Sequence, residues 1–385
     1  MIKIKNFLFG LVVFTFIFQA IKFYSFYLEY SDWQYADWII NYQGGFIRRG
    51  FIGEILFNIH NFSTIRLDYV ILAFVILLYI FVAYILIKSI KYIHQSYIDI
   101  LIFLSPGFFI YPIMNSEIIG RKDILLVAIF GIFVFFEKKF KDTGLVFLLI
   151  FSITLLVLSH SGFLFYTPYL IFLYILIKSN RAKQIKFLEI SGFFLLLLTL
   201  LLLIYFNQGS MEHVEKICLS TKMFVKENCG NTGQLFWIGN DAQNHIAVQV
   251  IKLKHLFVYL LSLVLVYIFL GIKLFNSRFK IKSFKLNKIN PLIIFCILFI
   301  FSIPIYYLGT DWGRYIFNSY VCSFFIFLYC LKENLLNRSY KLIFKKGTFI
   351  VLLFFYSFFW TFPFYHAENF KFTFKKPLLQ LQKRF

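Results

Sequence analysis

The chain has 385 residues, of which 60% are apolar and 15% charged, with 56 Phe and a mean hydropathy of +0.77. This composition excludes a soluble globular enzyme, a disordered chain and a small disulfide-built module, and at about 20 apolar residues per crossing it leaves room for about eleven membrane spans. The net charge of +21 gathers between the apolar runs without base-stacking aromatic motifs, so it reads as a topology signal and no nucleic-acid partner is expected.

Apolar runs fall at 6–24, 68–87, 98–114, 123–136, 143–159, 162–177, 187–206, 256–272, 291–308, 315–331 and 348–363. They predict an all-α, polytopic transmembrane helix bundle, and with no repeat or linker dividing 1–385, a single transmembrane domain. The first run follows Lys3 and Lys5, has Lys22 near its end and lacks a small-residue cleavage site. It is therefore expected to be an uncleaved helix with a cytoplasmic N-terminus. Counting sides from there, the cytoplasmic segments carry twice as many Lys and Arg as the outer loops, the bias that sets orientation. An odd number of spans puts the basic tail, with Lys371, Lys375, Lys376, Lys383 and Arg384, outside; either the tail is tolerated there or one run is not a span.

The cytoplasmic loops are short and basic and hold no phosphate-cradling glycine loop. The outer loops are chemically richer. The first, over 25–67 with a polar core at 30–54, combines Asp32, Asp37 and Glu54 with Trp33, Tyr35, Trp38 and Tyr42 and with adjacent Arg48 and Arg49 among Gly44, Gly45, Gly50 and Gly53. Its aromatics suit either an interfacial belt or a site. Adjacent arginines outside a span work against the topology bias, and paired guanidinium groups grip phosphate well, so a pyrophosphate headgroup or ordinary lipid phosphate is the expected ligand. The second loop places Glu117 beside Arg121, Lys122 and Asp123, read as a base or metal ligand with a phosphate contact, or as a salt-bridged turn. His160 sits in a tight turn between two spans, as a proton carrier or an interface residue. Asp311 and Arg314, three apart, pair with each other or complete a site with the first two loops.

The longest outer loop, 207–254, holds Cys218 and Cys229, a disulfide candidate in an oxidising compartment, whereas Cys296, Cys322 and Cys330 fall within spans as packing residues. His213 and His245 are isolated, and no spacing resembles a structural zinc site.

A first span followed by a loop bearing acids, a second loop with a further acid and many spans after it resembles the C-type membrane glycosyltransferase superfamily, which takes sugars from polyprenyl-phosphate or polyprenyl-pyrophosphate donors. Asp32 or Asp37 matches the first-loop acid and Glu117 the second-loop acid. Length, span number, the outer arginines and a large late outer loop are also similar to bacterial polymerases of O-antigen and capsule repeat units. The chain departs from the glycosyltransferases in having no large C-terminal outer domain. The resemblance implies a multi-pass protein of the bacterial inner membrane that transfers or polymerises lipid-linked sugar on the periplasmic face. Its partners would be a polyprenyl-linked saccharide, membrane lipid and other polysaccharide-assembly proteins.

On that reading Arg48, Arg49 and Arg121 or Arg314 hold the donor phosphate, and Asp32 or Asp37 deprotonates the acceptor, with Glu117 or His160 as substitutes. Glu54, Asp123 and Asp311 support the site. A divalent metal, magnesium or manganese, enters only if Asp and Glu side chains converge; no spacing demands one. A flippase or exporter of lipid-linked oligosaccharide would also need arginines, but with polar groups spread through several helices, and a non-catalytic assembly subunit would tolerate substitutions in the polar loops.

Overall fold

The computed structural model describes residues 2–94, 96–183, 186–226, 229–239, 253–281, 283–337, 345–365 and 371–372. His245, part of the 207–254 loop and the tail residues Lys375, Lys376, Lys383 and Arg384 lie outside the described residues. In chain order the helices are α1 (Ile2–Leu28), α2 (Ala36–Ile39), α3 (Phe51–Ser63), α4 (Leu67–Ile93), α5 (Tyr97–Phe103), α6 (Tyr111–Met114), α7 (Asp123–Phe136), α8 (Asp142–Ser159), α9 (Thr167–Asn180), α10 (Phe187–Phe206), α11 (Met211–Ser220), α12 (Gly233–Gly239), α13 (Leu253–Phe275), α14 (Pro291–Leu308), α15 (Trp312–Lys332) and α16 (Lys346–Ser357). Two residue pairs form the strands β1 (Trp360–Thr361) and β2 (Lys371–Phe372), which run antiparallel.

Among the described residues eight helices are long and apolar enough to cross a membrane. The chain is a multi-pass, helical membrane protein, because only a backbone bonded within itself is tolerated in hydrocarbon. Eight of the eleven expected runs are these helices. The other three are shorter for local reasons. Pro106 and Gly107 split the run at 98–114 into α5 and α6, since the residue before a proline is pushed out of the helical region. Helix α7 has 14 residues, between the Gly120 turn and the polar stretch Glu137–Lys139. Helix α16 has 12 residues and gives way to β1 ahead of Pro363.

The chain forms two compact units, each assembled from separated segments. The first unit comprises 1–15, 86–117 and 247–385. Helix α15 is its most enclosed span, with 89% of its apolar window buried against neighbours that include α13 and α14. At one end Lys273 pairs with Asp99 at 3.0 Å and Tyr97 stacks on Phe349 at 4.2 Å. At the other, Asn115 donates to the Phe362 carbonyl at 2.8 Å, Tyr111 stacks on Phe362, and the Gly313 N–H donates to Phe364 O. The broken run from Tyr97 to Asn115 therefore joins the two ends of this unit, as α16 and the strand after it do.

The second unit comprises 16–85 and 118–246. At its basic end Arg181 bridges Glu137 at 2.7 Å and Asp142 at 3.1 Å, and Lys178 pairs with Glu189 at 2.8 Å. At its loop end Asp68 binds Arg66 at 2.9 Å and accepts from the Tyr27 hydroxyl at 3.2 Å, tying the end of α1 to the start of α4. Short as it is, α7 connects the Gly120 turn at the loop end to Glu137 at the basic end. Helix α10 has only 11% of its apolar window buried, the least of the eight spans among the described residues.

Candidate functional site

The polar core of the first loop folds as α2, a turn and α3, closed down on one another. Helix α3 crosses α2 so closely that a Cβ on Gly53 would overlap the Ile40 carbonyl, so no larger residue fits. The Glu54 carboxylate, in the first turn of α3, accepts from the Tyr42 N–H at 2.8 Å and from Asn58 at 3.0 Å. Glu54 thus shapes the loop. Burial first, and then that carboxylate, hold the Tyr42 phenol well above its ordinary pKa.

Asp37 and Lys122 are fully buried and paired at 3.6 Å, and Lys122 Nζ also donates to the Arg49 carbonyl at 3.0 Å. Next to this pair the Trp38 indole donates to the Gly120 carbonyl at 2.6 Å, while the Gly120 N–H donates to the Tyr79 hydroxyl at 2.9 Å. Asp37, Trp38 and Lys122 therefore lock the first loop to the start of α7. A carboxylate so enclosed and ion-paired is placed to hold structure; proton exchange with a substrate needs access.

Asp32 is different, with 28% of its side chain exposed. Its Oδ2 accepts from the Thr232 hydroxyl at 2.8 Å, and Lys226 Nζ lies 3.9 Å away. Gln234, itself buried, joins two of the expected site residues: its N–H donates to the Asp32 carbonyl at 2.9 Å, and its Oε1 accepts from Arg49 Nη1 at 2.9 Å. The segment carrying Thr232 and Gln234 follows directly on the Cys218–Cys229 disulfide, present with a Cα–Cα distance of 5.9 Å. Arg48 and Arg49 are both half-buried, and the Arg48 N–H donates to the Asn207 carbonyl at 3.0 Å. Arg121 is buried with its guanidinium 5.3 Å from the exposed Trp33 ring, within cation–π range. Asp123, also buried, opens α7, where a carboxylate offsets the positive end of the helix dipole.

His160 closes α8, and its Nδ1 accepts from the Gly162 N–H at 3.2 Å, with Phe163 packed on the ring at 5.0 Å. The neutral ring then carries its proton on Nε2. In the other unit Arg314 is buried and pairs with Asp311 at 3.6 Å over the first turn of α15, and Glu117 is half-buried on the short turn Ser116–Ile118. The structure thus brings Asp32, Arg49 and, by chain continuity, Arg48 together, ties Asp37 to Lys122, and sets Glu117, Asp311 and Arg314 in a separate unit. Among the described residues no three His, Cys, Asp or Glu side chains gather in a way that could hold a metal ion.

Lys122, Lys226, Thr232 and Gln234 carry this arrangement without having been assigned a role from sequence. Lys122 stood in a motif already singled out; nothing marked the other three. Compared with family models, curated proteins and solved structures, the chain matches none.

Proposed function

We propose that the chain transfers or polymerises sugar from a polyprenyl-phosphate or polyprenyl-pyrophosphate carrier on the periplasmic face of a bacterial inner membrane, in the assembly of a surface polysaccharide. The observation that carries this reading is Gln234, which binds the Asp32 main chain through its N–H and the Arg49 guanidinium through its side chain, beside an Asp32 carboxylate that stays accessible. An accessible base and a phosphate grip at the end of a membrane bundle are what glycosyl transfer from a lipid phosphate needs. In the reaction the acceptor hydroxyl oxygen bonds to the anomeric carbon and the bond from that carbon to the phosphate oxygen breaks. The carrier phosphate leaves with the electron pair. Asp32 takes the hydroxyl proton, while Arg48 and Arg49, backed by Arg121, offset the charge developing on the phosphate. Asp37 keeps its place in the buried pair and has no part in proton transfer.

The same reading has eleven crossings, an N-terminus inside and the loop ends outside. It is supported by the three short runs, each of which joins opposite ends of its unit, and by the disulfide, which suits an oxidising compartment. Reporter fusions after Lys141 and after Gly209 should report cytoplasmic and periplasmic positions respectively. The functional test is mass spectrometry of polyprenyl-linked glycans in a strain lacking the protein. Accumulation of one carrier-linked intermediate, cleared by the intact chain but not by an equally abundant Asp32→Asn variant, is expected. An unchanged lipid-linked pool would overturn the proposal.

A further inference from the structure

A cleft of about 380 Å³ lies between the turn at Gly44–Phe46 and the C-terminal end of α10. This volume is within the range of small-molecule sites, about 300–1,000 Å³. Its walls are of two kinds. Phe46, Tyr205 and Phe206 are aromatic, and the last two are 63% and 74% exposed at the end of the most lipid-facing span. Asn207, Gln208 and His213 supply polar groups, the two amides each donating to a carbonyl of the last turn of α10, and among the described residues no carboxylate lines the cleft.

The imidazole of His213 is fixed by a 2.7 Å hydrogen bond between its Nδ1 and Ser210 Oγ. The two glycines of the facing turn allow the approach: a Cβ on Gly44 would stand 2.7 Å from the His213 Cα, and Gly45, at φ +116°, would place one 3.3 Å from Nε2. Any side chain at 45 would crowd the edge of the ring that faces the turn. The arginine pair begins at the same place, since Arg48 follows Phe46 by two residues and its N–H is bonded to the carbonyl of Asn207.

We infer that this cleft seats a phosphate ester borne on an apolar chain, with the first segment of the chain on Phe46, Tyr205 and Phe206 and the phosphate toward His213, Asn207 and the arginine pair. An exposed aromatic floor at the end of an apolar span, the His213 imidazole, an arginine pair that starts at the cleft's edge in the chain and, among the described residues, no acid in the lining together select an anionic amphiphile over a sugar or a neutral lipid. Two sources share this chemistry, a polyprenyl phosphate and an ordinary phosphoglycerolipid. Only the choice of the first rests on the glycosyl-transfer reading.

The test uses the purified full chain in nanodiscs and a polyprenyl phosphate carrying a photoreactive diazirine in its first isoprene unit. Crosslinking is expected on the peptides holding Phe46 and Tyr205–His213. Unlabelled polyprenyl phosphate should displace the probe, and the neutral polyprenol should not. His213→Ala should weaken capture about tenfold, the scale of one hydrogen bond to a charged group. Phe46→Ala, which removes part of the aromatic floor, should do the same. Displacement by phosphatidylglycerol at equal concentration would support the phosphate seat and assign it to ordinary lipid. Crosslinks elsewhere, or equal displacement by polyprenol, would overturn it. Capture is read without turnover, so a chain that binds the probe but transfers no sugar would refute the proposed function and leave the seat standing.

Discussion

The buried pair of Asp37 and Lys122 makes the most demanding prediction. Both side chains are fully enclosed, at 3.6 Å from each other, and breaking a buried ion pair by removing one member costs about 3–5 kcal/mol. Replacing both with apolar residues of similar size removes the two desolvation penalties along with the attraction, a change that is often close to neutral. Asp37→Leu and Lys122→Met should therefore each destabilise strongly. Lys122→Met should lose the more, because its ammonium also bonds the Arg49 carbonyl at 3.0 Å. The double variant should recover most of the loss. At about 2–4 °C per kcal/mol for a unit of this size, each single change should lower the thermal midpoint in detergent by about 6 °C or more. The double variant should end closer to the parent than either single change, short of it by the lost Lys122 bond to the Arg49 carbonyl. Recovered protein should also recover its function, because Asp37 serves as a latch. Midpoints that shift additively, or a stable double variant without function, would refute the latch and return Asp37 to the catalytic candidates.

Four further outcomes follow from the same contacts. Gln234→Leu should keep membrane abundance while cutting function, because it removes the side-chain acceptor that holds Arg49 and leaves the main-chain bond to Asp32 in place; complementation of a deletion strain reads it. Replacing Cys218 and Cys229 with serine should destabilise by about 2–3 kcal/mol, the range for a short closed loop, and a reductant should mimic it in the parent but not in the variant. Gly53→Val should abolish accumulation of folded protein, seen by fluorescence-detected size exclusion, since its Cβ would overlap Ile40 O. Tyr42→Phe should be neutral or stabilising at pH 7, because the buried hydroxyl makes no hydrogen bond among the described residues. The raised Tyr42 pKa means that stability is intact below the ordinary phenol value near 10 and lost as pH rises through the folded value, so the variant should show a smaller fall in thermal midpoint above pH 10.

The bundle was legible because long apolar runs between polar turns have few alternatives to helix in a membrane. The run at 98–114 was read straight through Pro106, where the helix breaks, whereas the run ending at 136 stops where the polar Glu137–Lys139 stretch begins. The site was legible by residue type and not by pairing. Asp32 meets Thr232 across 200 residues of sequence and Arg49 meets Gln234 across 185, and no local periodicity encodes contacts so distant. Asp37 and Asp32 looked alike in sequence, and burial separates them. The aromatics divided in the same way: Trp33 is 40% exposed, as an interfacial ring is, whereas Trp38 and Tyr35 are fully enclosed. His213 looked isolated because its neighbours, Gly44 and Gly45, belong to the first loop.

The surface-polysaccharide ladder of a deletion strain tests most directly the proposed glycosyl transfer by Asp32 and the arginine pair. The strain is complemented with the intact chain, Asp32→Asn, Arg49→Lys or the Asp37→Leu/Lys122→Met pair, all matched for membrane abundance. Deletion should collapse the ladder to single repeat units or truncated glycan, and the intact chain and the double variant should restore it while Asp32→Asn and Arg49→Lys should not. A ladder that never changes on deletion, or one that Asp32→Asn restores in full, would contradict the proposed transfer.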